Sequence, residues 1–122
     1  MNPAALVLIA LGGALGSVAR ALAGQLIPAG RLPWPTIVVN VCGSLLIGAL
    51  VARFAAFEPA AVTRAHSFWV IGVCGGFTTF STFSWQTIEQ AQKGDWAAAL
   101  ANVLISVICC LAATWLGWRL AR

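Results

Sequence analysis

The residues best suited to chemistry form one run from Gly75 to Ser84, with the sequence GGFTTFSTFS. Two adjacent glycines followed by threonine and serine are poor helix-forming residues, so the run predicts a break inside an otherwise helical segment. Carbonyl groups freed by such a break can hold a cation, and Gly75 and Thr78 are the candidate positions. A glycine hinge that only permits close helix packing is the alternative.

Two phenylalanines in this run could contact an anion. Phe80 and Phe83 are three residues apart, so on a helix they share a face. The edge of an aromatic ring carries partial positive charge, and two such edges could touch a bare anion without hydrogen-bonding it. Packing in a core or against lipid is the alternative.

Uncharged hydrogen-bond donors accompany the two rings. Asn40 lies in the middle of an apolar segment and offers an amide. Polar side chains recur every four residues near the end of the chain, at Asn102, Ser106, Cys110 and Thr114, and further hydroxyls follow the glycines at Ser81, Thr82 and Ser84. Such donors suit an anion that only accepts hydrogen bonds, although ordinary helix–helix hydrogen bonding would use them equally well.

Arg20 is the charged residue that lies near the inner part of the first apolar segment. A cation at the mouth of a pathway would concentrate anions there. The alternative is that its long side chain extends to the lipid headgroups.

The elements that carry these residues are predicted to be membrane-spanning helices. Only 8% of the 122 residues are charged, against 61% that are hydrophobic, whereas a soluble domain is about 25% charged. Uncharged stretches of 19 to 24 residues fill the chain, at Met1–Ala19, Leu32–Ala52, Ala65–Ile88 and Trp96–Trp118. Since a helix needs roughly 20 apolar residues to cross a bilayer, the sequence predicts an all-α membrane protein.

The chain is predicted to be a single domain of four transmembrane helices, at about residues 3–27, 32–54, 66–92 and 96–119. A polar hinge from Glu58 to Arg64 separates the middle two, and Lys93-Gly94-Asp95 turns the chain into the last. Glycines four apart, Gly12 with Gly16 and Gly72 with Gly76, would let helices approach closely in lipid.

The loop charges are nearly balanced across the membrane. With four spans, one side carries Arg53, Arg64, Arg119 and Arg122, and the other carries Arg31 and Lys93. Because an excess of Lys and Arg sets the orientation, so small a bias predicts insertion in both orientations and pairing as an antiparallel dimer. Four helices alone also form too thin a bundle to enclose a water-accessible path.

Several functional classes find no support in the sequence. No catalytic or metal-ligand cluster is visible, so an enzyme is not expected, and no basic stripe suggests nucleic acid as a partner. No Asp or Glu lies within the core of a predicted span, although a proton-coupled exporter generally needs one. A small dual-topology coupled exporter, which has the same size and helix count, remains the alternative function, beside a non-transporting assembly subunit.

Three motifs together resemble the small bacterial fluoride channels of the Fluc or CrcB family. GGALGSVAR at Gly12–Arg20 is similar to the family's GGxxGxxxR, PTIVVNVCG at Pro35–Gly43 to its GTLxVNxxG, and Gly75–Ser84 to its GGxTTFSTFS. The last motif is highly specific, and the match covers nearly the whole chain.

The resemblance implies a fluoride-specific channel that lets fluoride leave the cytoplasm passively and so protects against its toxicity. It implies an antiparallel, dual-topology homodimer in the bacterial inner membrane, with a structural Na⁺ at its centre that is required but not transported. The carbonyls of Gly75 and Thr78 would hold this Na⁺. Phe80, Phe83 and Asn40 would contact fluoride, with Ser81, Thr82 and Ser106 on the same path and Arg20 near its entrance.

The sequence departs from the family pattern in its outer polar residues. Gln86 stands where the family often has Glu, Asn102 where it often has Tyr, and Cys110 near a usual hydroxyl. The track formed by Asn102, Cys110, Thr114 and Gln86 is therefore less closely tied to the family than the central motif. Asn102 and Gln86 can still donate hydrogen bonds, so fluoride passage is expected to persist.

Overall fold

A computed structural model describes residues 2–57 and 63–122, and all the regular structure in these ranges is helical. The segments, here numbered in chain order, are α1 (Pro3–Leu26), α2 (Trp34–Phe54), α3 (His66–Cys74), α4 (Gly75–Phe77), α5 (Phe80–Gln92) and α6 (Trp96–Ala121). Most of the predicted hinge from Glu58 to Arg64 lies outside the described residues.

Three of these helices, α1, α2 and α6, are long and apolar enough to cross a membrane. Their ends follow from local sequence. Asn2 caps α1 by accepting a hydrogen bond from the backbone N–H of Ala4, and α2 begins beside Pro35, whose missing N–H costs nothing in a first turn. Only 11% of the apolar window of α1 is buried within the chain, which is typical of a helix that faces lipid.

The segment predicted at residues 66–92 is divided among α3, α4 and α5. α3 has the wider hydrogen-bonding pattern of a π-helix, which is rare and is frequently found at functional sites. Thr78 (φ −82°, ψ 158°) and Thr79 (φ −150°, ψ 106°) are extended and separate α4 from α5. The helical direction is regained at Phe80 because the Thr79 hydroxyl caps α5 by accepting from the N–H of Thr82, at 3.2 Å.

Glycines set the contact between α1 and the pair formed by α3 and α4. A Cβ at Gly12 would collide with the carbonyl oxygen of Phe68, and one at Gly76 would collide with the backbone of Gly13. The backbones therefore touch without side chains between them, as small residues permit in membranes. This contact anchors α4, and with it the break, against α1.

Helices α2 and α6 make the second close contact, which also depends on glycines. A Cβ at Gly48 would collide with the backbone of Thr114, and one at Gly117 would collide with the carbonyl of Leu45. Because α5 also packs on α6, the α2–α6 pair supports the part of the chain that follows the break.

The turn between α5 and α6 is tied to the loop between α1 and α2 outside the apolar spans. Arg31 donates from Nε and Nη2 to the two carboxylate oxygens of Asp95, each at 2.8 Å. Asp95 also accepts from the N–H of Ala98 and so caps α6. These hydrogen bonds from Arg31 and Ala98 lower the pKa of Asp95 to about 2. Gly94, at φ 82°, supplies the left-handed residue that the turn needs.

Candidate functional site

The break between α4 and α5 is held by the side chain of Asn40. The backbone N–H of Thr79 donates to Asn40 Oδ1 at 2.8 Å, and Asn40 Nδ2 donates to the Thr79 carbonyl at 3.1 Å. Asn40 thus satisfies both backbone groups of an extended, buried residue, which would otherwise be costly in an apolar setting. The other of its two amide N–H groups makes no hydrogen bond to the residues that the structure describes.

The carbonyl groups around the break have different partners. Arg20 Nη1 donates to the Thr78 carbonyl at 3.2 Å, and the Ser17 hydroxyl lies 3.5 Å from the Gly76 carbonyl. In a continuous helix the N–H of Thr79 would donate to the Gly75 carbonyl, but here it donates to Asn40. Within the described ranges, no hydrogen bond reaches the Gly75 carbonyl across the break, and Gly75 itself is exposed.

A groove of about 440 Å³ opens beside the break, between α2, the α3–α5 segments and α6. Its walls are mainly apolar, with a few polar groups. The residues from the α3–α5 segments and the break are Val70, Cys74, Gly75, Thr78, Thr79, Phe80 and Phe83, and those from α2 and α6 are Asn40, Gly43, Ser44, Ile47, Ser106, Val107, Cys110 and Leu111. Such a mixture of apolar wall and few polar groups is typical of a ligand site.

The two phenylalanines meet at this groove. The ring centroids of Phe80 and Phe83 are 5.3 Å apart and the rings are inclined by 48°. Phe83 is buried, with 8% of its surface exposed, whereas Phe80 is 77% exposed. The chain therefore fixes one ring by packing and leaves the other projecting from its surface.

A chain of hydrogen bonds joins α5 to α6 behind Phe83. The Thr87 hydroxyl donates to the Phe83 carbonyl at 2.9 Å, and Asn102 Nδ2 donates to Thr87 Oγ1 at 2.8 Å. The Ser106 hydroxyl lies 3.3 Å from Asn102 Oδ1. Because the Phe83 carbonyl can only accept, every direction in the chain is fixed, and Ser106 must donate to Asn102. Asn102 is completely buried by these contacts.

The remaining predicted residues lie around the groove rather than in it. Ser81 and Thr82 are exposed at the start of α5, where their hydroxyl oxygens lie 3.4 Å and 2.9 Å from Thr79 Oγ1. Thr114 lines a separate depression beside Gly48. The Oε1 atom of Gln86 is buried and has no partner within the part of the chain that the structure describes.

The structure therefore brings Asn40, Phe80, Phe83, Ser106 and Cys110 to one groove, which Gly75 and Thr78 also line. Arg20 reaches the break itself, through the Thr78 carbonyl. Asn102 and Thr114, although on the same helix stripe as Ser106 and Cys110, do not line the groove.

Three residues near the groove were assigned no role from the sequence. Gly43 leaves room for the Thr78 side chain, since a Cβ there would collide with the threonine methyl group. Thr87 orients Asn102, and Ser44 lines the groove one turn after Asn40. The four-residue spacing of Ser44 from Asn40 and of Thr87 from Phe83 was the available signal, because such pairs share a helix face.

Comparison with known proteins gives a consistent result over most of the chain. The family described as CrcB-like protein, Camphor Resistance (CrcB), matches residues 7–118. The chain is 46% identical over 115 residues to the fluoride-specific ion channel FluC of Paramagnetospirillum magneticum, covering 90% of this chain and 89% of the relative. It is 49% identical over 114 residues to FluC of Opitutus terrae, covering 89% and 86%, and 44% identical over 117 residues to FluC of Rhodospirillum rubrum, covering 89% and 88%. The chain thus belongs to the CrcB-like family.

Proposed function

We propose that this protein is a fluoride-specific ion channel that lets fluoride leave the cytoplasm down its gradient and so lowers its toxicity. The observation that carries the proposal is the groove at the break, which Phe80, Phe83 and Asn40 line together and whose described lining residues include no charged side chain. The relatives, which are named fluoride-specific ion channels, support the same assignment. Membership of this family confirms the prediction that the chain is not an enzyme.

The chemistry of the groove suits fluoride. Fluoride is small and holds its water strongly, so a pathway must replace that water with fixed groups of partial positive charge. The free N–H of Asn40 is such a donor, and the ring edges of Phe80 and Phe83 offer weaker positive potential without a hydrogen bond. Chloride is larger and would fit poorly beside two ring edges. Arg20, at the break, adds a positive field that attracts anions.

The protein is a multi-pass membrane protein, and we place it in the bacterial inner membrane. α1, α2 and α6 are three of its crossings. α3, α4 and α5 together form the remaining crossing, which comes third along the chain and is broken at Thr78 and Thr79. An irregular backbone at membrane depth is tolerated only where protein or a cavity covers it, so the break must not face lipid.

A second copy of the chain in the opposite orientation would cover the break. Gly75, Phe80 and Ser81 are exposed on the protomer beside it, and the nearly balanced loop charges allow insertion both ways. Tags at both termini should report both orientations in one membrane preparation. A single fixed orientation would refute the antiparallel homodimer.

A structural Na⁺ at the dimer centre fits the residues at the break. The Gly75 carbonyl has lost its helical partner, and the Thr78 carbonyl, which accepts from Arg20, keeps a second lone pair. These are oxygen ligands of the kind that broken transporter helices offer to Na⁺. Replacing Na⁺ by a large organic cation should weaken the dimer and stop fluoride flux, while added Na⁺ should restore both; unchanged dimer and flux would contradict a required Na⁺.

Fluoride release from liposomes containing the purified protein tests the function. A fluoride electrode should record rapid release once a K⁺ ionophore is added, and chloride-loaded vesicles should release nothing. Release that requires a proton gradient would favour the coupled exporter instead. No release from an assembled dimer would mean that the groove only packs helices.

A further inference from the structure

Most hydroxyl groups that line the groove already donate a hydrogen bond within the protein. The Thr78 hydroxyl donates to the Cys74 carbonyl at 2.8 Å, and the Thr79 hydroxyl donates to Thr82 Oγ1 at 2.9 Å. The Ser106 hydroxyl donates to Asn102 Oδ1, a direction fixed by the chain of bonds that ends at the Phe83 carbonyl. A hydroxyl has one proton, so these three present lone pairs, and not protons, to an anion in the groove.

Ser44 is different from these three. It lines the groove and is half-buried, and its hydroxyl makes no hydrogen bond within the described residues. Serine inside a helix often donates to the carbonyl four residues earlier, as Ser67 does to Thr63 at 2.8 Å. The Ser44 hydroxyl does not do so, and its proton is available to the groove.

The position of Ser44 places this proton beside the other free donor. Ser44 follows Asn40 by four residues on α2, so the two side chains are neighbours on one helix face. Asn40 has one N–H that is not used in holding Thr79. Gly43 brings α2 close to the break, because its missing Cβ accommodates the Thr78 side chain. Two free donors therefore face the groove from consecutive turns of α2.

We infer that Ser44 donates a hydrogen bond directly to fluoride in the groove, next to the donor Asn40. The inference rests on the proposed function, since it assigns a further donor to the same anion pathway. Fluoride would contact the Asn40 amide and the Ser44 hydroxyl on one side and the phenylalanine edges on another. Cys74 and Cys110 also line the groove, but their thiols are only weak donors.

The test compares fluoride efflux from liposomes for the parent protein and Ser44 variants that assemble equally by size-exclusion chromatography. Ser44→Ala should slow flux about tenfold, because a hydrogen bond to a charged group is lost. Ser44→Thr and Ser44→Val have nearly the same shape, so the threonine variant should be faster than the valine variant by a similar factor. Ser67→Ala, whose hydroxyl lies away from the groove, should match the parent.

Each result decides the inference. Equal flux for Ser44→Ala and the parent, or equal flux for the threonine and valine variants, would overturn it while the channel function stands. No flux from the parent protein itself would overturn the proposed function and the inference together.

Discussion

Asn40 and Thr79 are joined by two hydrogen bonds of opposite direction, one 2.8 Å and the other 3.1 Å long, across the break between α4 and α5. A side chain of α2 thereby supplies the hydrogen-bond partners that the interrupted helix cannot give to the backbone of Thr79. The consequence is that one asparagine both fixes the extended backbone and presents a spare N–H to the groove. Stability and ion passage should therefore depend on the same residue.

Removing the Asn40 amide should destabilise the protein. Asn40→Leu leaves the N–H and the carbonyl of buried Thr79 without partners, which should cost about 2 kcal/mol or more. Thermal unfolding in detergent measures the loss. At acid pH, protonated Asn40→Asp keeps an acceptor for the Thr79 N–H and a donor for the Thr79 carbonyl, so it should lose less stability. An Asn40→Leu variant as stable as the parent would contradict the bracing role.

Substituting either phenylalanine should block fluoride. Phe80→Ile and Phe83→Ile each remove one aromatic ring that lines the groove, so efflux should fall to background while the proposed dimer still assembles. Phe83→Ile alone should also lose about 1 kcal/mol of stability, because Phe83 is buried and Phe80 is exposed. Phe57→Ile, on an exposed ring outside the groove, is the control and should conduct normally. Normal flux from both groove variants would contradict the assigned path.

The helical architecture could be read from the sequence because its determinants are local. The uncharged stretches around α1, α2 and α6, the proline at the start of α2 and the turn at Gly94 each act through neighbouring residues. The division of the third segment was harder to predict in detail. A glycine pair predicts weak helix formation, but the placement of the extended residues depends on Asn40, which lies 39 residues earlier.

Close backbone contact should make Gly12 intolerant of a side chain. Gly12→Ala would push a methyl group into the Phe68 carbonyl, so the α1–α3 contact must open and the protein should unfold at a lower temperature. The methyl group of Gly24→Ala, on the same helix, would contact no other atom. This variant should be neutral or slightly stabilising, since alanine is more favourable than glycine in a helix by about 1 kcal/mol. Equal stability of the two variants would show that the glycine contact does not matter.

The ion pair between Arg31 and Asp95 should make stability depend on acid pH. The pKa of Asp95 is lowered from its ordinary 3.8 to about 2 in the folded protein. Its contribution to folding stability is therefore fully present above pH 3.8 and is lost as the pH falls towards about 2. The effect should be small and salt-sensitive, because both side chains are partly exposed.

Asp95→Asn tests the contribution of this charge alone, because asparagine removes the charge but can still cap α6. Near neutral pH the variant should unfold more easily than the parent, and below about pH 2 the difference should vanish. A difference that persists at low pH would show that the carboxylate does not act through its charge.

The groove could be predicted in part. Asn40, Phe80 and Phe83 stand out from the sequence because their types are unusual for membrane helices or their spacing is regular. The separate roles of Asn102, Ser106, Cys110 and Thr114 on α6 could not be predicted. Their equal spacing does not tell which polar group already makes a hydrogen bond within the protein. Asn102 is fully buried against Thr87, whereas Ser106 and Cys110 line the groove; only the packing of α5 on α6 separates them.

The most direct measurement is the reversal potential of the current through purified protein in a planar bilayer, with a fluoride gradient and equal chloride on both sides. A passive fluoride channel should give a current that reverses at the equilibrium potential of fluoride and disappears when chloride replaces fluoride. No current from an assembled dimer, or a reversal potential that follows chloride or protons, would contradict a passive fluoride channel.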